Sequence, residues 1–126
     1  MAYVYAQAAS LAGKATVGTK QCVALVQEYA KAPASSLWKE GKVVKGETFL
    51  AVGTAIATFV NGKYGNLPTG NHAALYLSQD TQGIWVIDQW SKSGTIQKRM
   101  LRFKGKNPDG TYVDPSNNGD AFSVID

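Results

Sequence analysis

The sequence predicts an α+β fold in which N-terminal helices pack on an antiparallel β-sheet. Helical patterns are confined to the first 31 residues, whereas strand patterns separated by turn-forming residues fill the chain after residue 50. This order is typical of α+β domains, in which helices cover one face of a sheet. At 126 residues the chain fits one domain, 1–126, with a core of its own.

The N-terminal quarter of the chain predicts a short helix and a longer one. Residues 3–12 are rich in alanine and end at Gly13, which predicts the short helix. The longer helix is predicted over residues 20–31, with Thr19 as its N-cap and Pro33 as the residue that stops it. Its apolar positions recur with helical spacing at Cys22, Leu25, Val26 and Tyr29.

Strands are predicted where apolar and β-branched residues alternate with polar ones or form short apolar runs between turns. The predicted strands cover residues 53–59, 72–77, 84–90, 96–103 and 122–125, after a short extended piece at 38–44. Segments rich in glycine, proline and asparagine predict loops at 61–70 and 105–119. The strands 72–77 and 84–90 form the clearest hairpin.

The chain carries a net charge of +4, and its basic residues gather before the last loop with no acid among them. A basic block can contact nucleic acid. The short signatures of nucleic-acid-binding domains are absent, so we expect a solvated strand and loop and no nucleic-acid partner. The residues of this block are Lys92, Lys98, Arg99, Arg102, Lys104 and Lys106.

Composition also excludes several kinds of protein. No window reaches the ~20 apolar residues of a membrane span, so no membrane insertion is expected. The N-terminal segment lacks the basic start of a signal peptide and predicts a mature helix. A single cysteine excludes an internal disulfide, and one cysteine with one histidine does not suffice for a structural zinc site. We expect no metal and no cofactor.

The only cysteine, Cys22, lies at the predicted start of the longer helix. Cysteine catalysis requires a thiolate, which a helix N-terminus and a nearby positive charge such as Lys20 both favour. The backbone N–H of Cys22 and the side chain of Gln21 are candidate donors to an oxyanion. A cysteine on an apolar helix stripe is by itself more often a core residue, so the functional prediction also needs a partner.

The only histidine, His72, opens the first strand of the hairpin and is the candidate partner. A turn that pairs Ser78 with Ile84 places Asp88 on the face of His72, one step diagonally away. A slip of one residue presents Gln89 instead. Either side chain accepts a hydrogen bond from the imidazole and leaves its other nitrogen for the sulfur. The predicted catalytic residues are therefore Cys22, His72 and Asp88, with Gln89 as the alternative third residue.

The same residues carry a family resemblance, which covers about residues 18–90. Residues 20–27 (KQCVALVQ) resemble the nucleophile helix of CHAP-type amidases. Residues 70–77 (GNHAALYL), followed by 87–90 (IDQW), resemble the histidine strand and the next strand of CHAP and NlpC/P60 domains. The resemblance implies a papain-like fold and a single NlpC/P60-like cysteine amidase domain with a Cys–His–polar triad.

Within this group the chain most resembles the amidase effectors of the type VI secretion system. That resemblance implies an antibacterial hydrolase of the DL-endopeptidase type, which cuts a peptide bond in the stem or cross-link peptides of peptidoglycan. It also implies synthesis in the cytoplasm without a signal peptide, action in the periplasm of a target cell, and a cognate immunity protein as partner. The alternative is a non-catalytic module of the same fold that binds cell wall or a polyanion through the basic block.

Overall fold

A computed structural model describes residues 2–65 and 69–126 of the chain. Within these ranges there is one α-helix, α1 (Cys22–Ala30), and a six-stranded antiparallel sheet with the spatial order β1-β6-β2-β3-β4-β5. The predicted combination of a helix and an antiparallel sheet is confirmed. The strands are β1 (Glu40–Val43), β2 (Ala55–Thr58), β3 (Ala73–Gln79), β4 (Gly83–Asp88), β5 (Gln97–Arg102) and β6 (Phe122–Ile125).

Each face of the sheet packs against its own apolar core because side chains alternate between the faces along a strand. Leu25 and Val26 of α1 are fully buried on one face. Small side chains lie on this face at Ala55 and Ala57 of β2 and at Ala73 of β3, beside the larger Leu75. The helix packs on β3. The second face carries larger side chains: Tyr76, Ile84, Val86, Leu101 and Phe122.

The start of α1 differs from the prediction by two residues. The helix begins at Cys22, and its N-cap is Gln21 rather than the predicted Thr19. Lys20 adopts a left-handed backbone conformation, with φ of 70°, which turns the chain between Thr19 and the helix. Cys22 therefore occupies the first helical position, where the backbone N–H groups lack partners within the helix.

The predicted helix over residues 3–12 is wrong. Only Ala8–Leu11 is helical, as a short 3₁₀ turn. The chain before it is extended and pairs with the segment that precedes β2, where the N–H of Tyr5 donates to the carbonyl of Gly53 at 2.9 Å. Hydrogen bonding to the neighbouring segment thus overrides the helix propensity of the alanines.

The β3–β4 hairpin follows the predicted register at one end only. Leu75 faces Ile87, as the predicted register requires. Closer to the turn a β-bulge shifts the pairing by one residue, and Ser78 faces Trp85 rather than the predicted Ile84. Because the shift lies on the turn side, it does not reach the end of the hairpin that carries the polar residues.

The C-terminal third forms the predicted strands β5 and β6. The predicted loop 105–119 contains a 3₁₀ turn, Pro115–Asn117, while the predicted loop 61–70 includes residues 66–68, which lie outside the described residues. The basic block occupies β5 and the chain around it, and Lys104 forms an ion pair with Asp114 at 2.9 Å. No helix among the described residues has the length and hydropathy needed to cross a bilayer.

Replacing Gly53 with alanine is expected to destabilise the fold by more than its backbone conformation alone explains. Its φ is +88°, and an added Cβ would overlap the carbonyl oxygen of Tyr5. Gly13 is a matched control because its φ is +86° and nothing lies within 4 Å of the position that an added Cβ would occupy. Gly13→Ala is expected to cost about 1 kcal/mol, and Gly53→Ala about 2 kcal/mol or more beyond that.

Urea denaturation of both variants measures this difference in the free energy of unfolding. Equal losses in the two variants would show that the close approach of Tyr5 to Gly53 does not constrain the fold.

Candidate active site

Cys22, His72 and Asp88 form a continuous series of contacts. The Nε2 atom of His72 lies 2.8 Å from Oδ2 of Asp88. The imidazole and the thiol of Cys22 also interact electrostatically, since each shifts the pKa of the other. Because Nε2 faces Asp88, Nδ1 is the ring nitrogen left for the sulfur. The fold therefore brings together the three residues that the sequence selects. Their order of thiol, imidazole and carboxylate is the order that a nucleophile, a base and an orienting group require.

The site lies at the end of the sheet where β3 begins. Cys22, at the start of α1, packs against the core of one face. The ring of His72 stands edge-on to Phe122 of the other core, with centroids 6.3 Å apart. Thr58 holds the backbone of His72 through hydrogen bonds of 3.0 Å in both directions. The thiol and the imidazole thus meet from opposite faces around the end of the sheet.

Arg99 on β5 completes the ionic contacts of the buried carboxylate. Its Nε lies 3.1 and 3.0 Å from the two oxygens of Asp88, and its Nη2 also donates to Oδ2. Asp88 is fully buried, so its charge depends on these partners. The guanidinium carbon lies 4.7 Å from the ring centroid of Trp90, and Nη1 donates to Oδ1 of Asn117 at 3.2 Å.

The electrostatics favour a thiolate–imidazolium pair. Burial alone raises the pKa of Cys22, but hydrogen bonding and the charge of His72, with bonds from Tyr64 and the backbone of Ala73, outweigh it and lower the pKa. Burial lowers the pKa of His72, yet Asp88 and Cys22 together raise it to about 9. The imidazole therefore keeps its proton at pH values where the thiol can lose its own.

The pKa of Asp88 is lowered despite its burial. Desolvation alone would raise it, but the hydrogen bonds and charges of His72 and Arg99 act in the opposite direction and prevail. Asp88 is therefore a carboxylate that accepts hydrogen bonds from both neighbours. An ionised acceptor of this kind fixes the orientation of the imidazole and stabilises its protonated form.

Tyr64 is a polar contact of the sulfur that the sequence does not indicate. Its Oη lies 3.6 Å from Sγ of Cys22 and accepts a hydrogen bond from Nδ2 of Asn71 at 3.4 Å. Burial, followed by the charge of Cys22, raises the pKa of Tyr64. The phenol therefore keeps its proton and can donate it to a thiolate. Trp38 packs against its ring, with centroids 4.8 Å apart.

Gln89 and Gln21, the other predicted site residues, occupy different positions. The amide of Gln89 is fully buried and binds the loop before α1, accepting from the N–H of Val17 at 3.0 Å and donating to the carbonyls of Val17 and Gln21 at 3.0 and 2.8 Å. Its contacts are with the loop before Cys22 rather than with His72. The side chain of Gln21 is exposed at the N-cap of α1, next to Cys22.

Two clefts contain neighbours of the thiol in their walls. One cleft, of about 410 Å³, has His72 and Arg99 in its wall and is completed by Asn71, Trp90, Ser116 and Asn117. The other, of about 540 Å³, reaches the sulfur's neighbour Tyr64 and is lined by residues 35–39 and 62–64.

The sequence offers only a weak signal for Arg99 and none for Tyr64. Arg99 stands out as a member of the basic block, but nothing in that block separates it from its neighbours. On β5 it lies opposite Val86, two residues from Asp88, and this strand pairing brings it to the carboxylate. Tyr64 lies in a glycine-rich loop with no periodicity, so its approach to the sulfur follows from tertiary packing alone.

Comparison with known proteins identifies close relatives. A family model described as "Domesticated amidase effector 2" matches residues 2–125. A Salmonella typhi protein named "Type VI secretion amidase effector 2 protein" is 45% identical over 133 aligned positions, which cover 100% of both chains. An Ixodes scapularis protein named "Domesticated amidase effector 2" is 37% identical over 114 positions, covering 87% of this chain and 73% of the tick protein.

A solved structure, "Type 6 secretion amidase effector 2 (Tae2)", superposes with a TM-score of 0.91 at 44% identity, covering 98% of this chain and 94% of the other. The predicted papain-like fold, the predicted amidase activity and the resemblance to type VI amidase effectors are confirmed by these matches. With the family model covering nearly its full length, the chain belongs to the domesticated amidase effector 2 family.

Proposed function

We propose that this chain is a cysteine amidase that hydrolyses a peptide bond in the stem or cross-link peptides of bacterial peptidoglycan. The observation that carries the proposal is the series of interactions from Cys22 through His72 to Asp88, with His72 in the wall of a cleft. The amidase effector names of the relatives support the substrate class. Residues 1–126 then act as one NlpC/P60-like domain, for which the family match over residues 2–125 is the support.

In the first half of the reaction the thiolate of Cys22 attacks the carbonyl carbon of the scissile amide. The oxyanion that forms accepts hydrogen bonds from the backbone N–H of Cys22 and from the side chain of Gln21. His72 then donates its proton to the nitrogen as the C–N bond breaks. The products of this half are a free amine and a thioester between the acyl half and Cys22.

In the second half a water molecule gives a proton to His72 and attacks the thioester. The C–S bond breaks, the thiolate is restored and the acyl half leaves as a carboxylic acid. Asp88 orients His72 throughout and stabilises the imidazolium that both halves require. Tyr64 donates to the sulfur when it carries charge, which its 3.6 Å contact permits.

The effector names of the relatives also support a setting for this activity. The chain is made in the cytoplasm, is delivered by a type VI secretion system and acts in the periplasm of a target cell. A cell that produces it then needs a cognate immunity protein that covers the clefts beside Cys22. Nucleic acid and membrane insertion have no part in this function.

Cys22→Ala and His72→Ala are expected to lower peptidoglycan cleavage by about a thousandfold or more, because each removes a group that acts directly on the reacting atoms. The measurement is the release of peptide fragments from purified peptidoglycan, read by mass spectrometry. Lys14→Ala, at an exposed position in the loop before α1, serves as a folded control with unchanged activity.

Undiminished cleavage by either variant would contradict the mechanism. Binding of the wild-type protein to peptidoglycan without any cleavage would instead favour a non-catalytic wall-binding module.

The pH dependence of kcat/KM is expected to separate Asp88 from Gln89. The alkaline limb of the wild-type profile reports loss of the imidazolium proton near pH 9, since the pKa of His72 is raised to about 9. Asp88→Asn removes a charge that raises this pKa, so the alkaline limb moves to lower pH and kcat/KM falls by about a hundredfold or more. Gln89→Ala loosens the loop before Cys22 and lowers kcat/KM while the alkaline limb stays in place.

The measurement is kcat/KM from pH 5 to 10 for the three proteins. An alkaline limb that moves in Gln89→Ala and stays in Asp88→Asn would assign the orienting role to Gln89.

A further inference from the structure

The cleft beside His72 is the position of the leaving half of the substrate, an assignment that rests on the proposed function. His72 gives its proton to the nitrogen that departs, so this nitrogen lies against the imidazole. The imidazole forms part of the wall of the 410 Å³ cleft, whereas Tyr64, the other polar neighbour of the sulfur, lines a different cleft. The chain attached to the departing nitrogen therefore extends into the cleft of His72 and Arg99.

Arg99 presents unused hydrogen-bond donors to this cleft. A guanidinium has five N–H groups. Among the described residues, its bonds to Asp88 and Asn117 engage Nε and one N–H on each of Nη1 and Nη2. One further N–H remains on each Nη atom, and the side chain is 27% exposed. Stacking on Trp90 at 4.7 Å fixes the plane of the group.

The charges around the cleft favour an anion. Asp88 is fully buried beneath Arg99 and His72, so it does not itself face the cleft. Asp114, which is not a lining residue of the cleft, accepts from the amide of Asn117, and its charge is paired with Lys104. The remaining lining side chains are neutral: Asn71, Trp90, Ser116 and Asn117. Among the described lining residues, the permanent charge is that of Arg99.

We infer that this cleft is a carboxylate-binding subsite and that Arg99 reads a free carboxylate on the leaving half of the substrate. The ligand is an amino-acid or peptide unit whose nitrogen forms the scissile amide and whose own carboxylate is free. The two remaining N–H groups of Arg99 suit a planar carboxylate, and the hydroxyl of Ser116 lies in the same wall. The enzyme thus prefers bonds next to a free carboxylate over internal amide bonds.

The test compares two synthetic peptide substrates that differ only in the leaving half, which ends in a free carboxylate or in a primary amide. The wild-type protein is expected to cleave the acid with a kcat/KM about tenfold or more above that for the amide. One charge-assisted hydrogen bond to the carboxylate accounts for a difference of this size. In Arg99→Gln this ratio falls to near one. Loss of the partner of Asp88 slows cleavage of both substrates, so the ratio isolates recognition of the carboxylate.

Two further comparisons make the result specific. Arg102→Gln removes an exposed arginine of the same strand, bonded to Gln82 and outside the cleft, and keeps the wild-type ratio. Ser116→Asp adds a negative charge to the cleft wall without removing a partner of Asp88, and it lowers the ratio relative to the neutral Ser116→Asn. This pair decides the matter if Arg99→Gln does not fold.

A wild-type ratio near one, or an unchanged ratio in both Arg99→Gln and Ser116→Asp, would overturn the inference. If neither substrate is cleaved, the proposed function fails by itself. Titration calorimetry of the same two peptides with Cys22→Ala protein then decides the subsite: about tenfold tighter binding of the acid supports it, and equal affinity refutes it.

Discussion

The site depends on one fully buried carboxylate, that of Asp88, which lies between the imidazole of His72 and the guanidinium of Arg99. A buried charge is tolerated only when partners replace the water it has lost. The three residues come from neighbouring parts of the sheet, at the start of β3, the end of β4 and the middle of β5. Correct pairing of these strands is therefore also the condition for neutralising the charge.

Consecutive residues at the end of β4 support different parts of the site. Asp88 binds the imidazole, whereas Gln89 binds the backbone of the loop that leads into α1. Successive side chains of an extended chain point to opposite sides, so one short segment reaches both His72 and the loop before Cys22. The end of β4 thereby contacts both His72 and the loop that leads into α1.

The basic block illustrates how the fold divides a charge cluster among several roles. Arg99 turns toward the buried carboxylate, Lys104 pairs with Asp114, and Lys98 and Lys106 lie near the aromatic rings of Trp85 and Tyr112. Composition alone shows a run of like charges, for which the sequence predicts a solvated strand and loop or, alternatively, a shared polyanionic partner. Strand alternation and the return of the chain at residues 114–118 give these cations separate local contacts instead.

The sequence by itself determined the class of fold and the β3–β4 hairpin, because hydrophobic periodicity is a local property. It also singled out Cys22 and His72, because the chain holds one residue of each type. It also limited the third residue to Asp88 or Gln89. Tertiary structure decided between their contacts, replaced the predicted helix at residues 3–12 by an extended segment, and brought Tyr64 and Arg99 to the site. These outcomes depend on hydrogen bonds and ion pairs between segments far apart in the chain. A local sequence pattern does not report the free energies of such contacts.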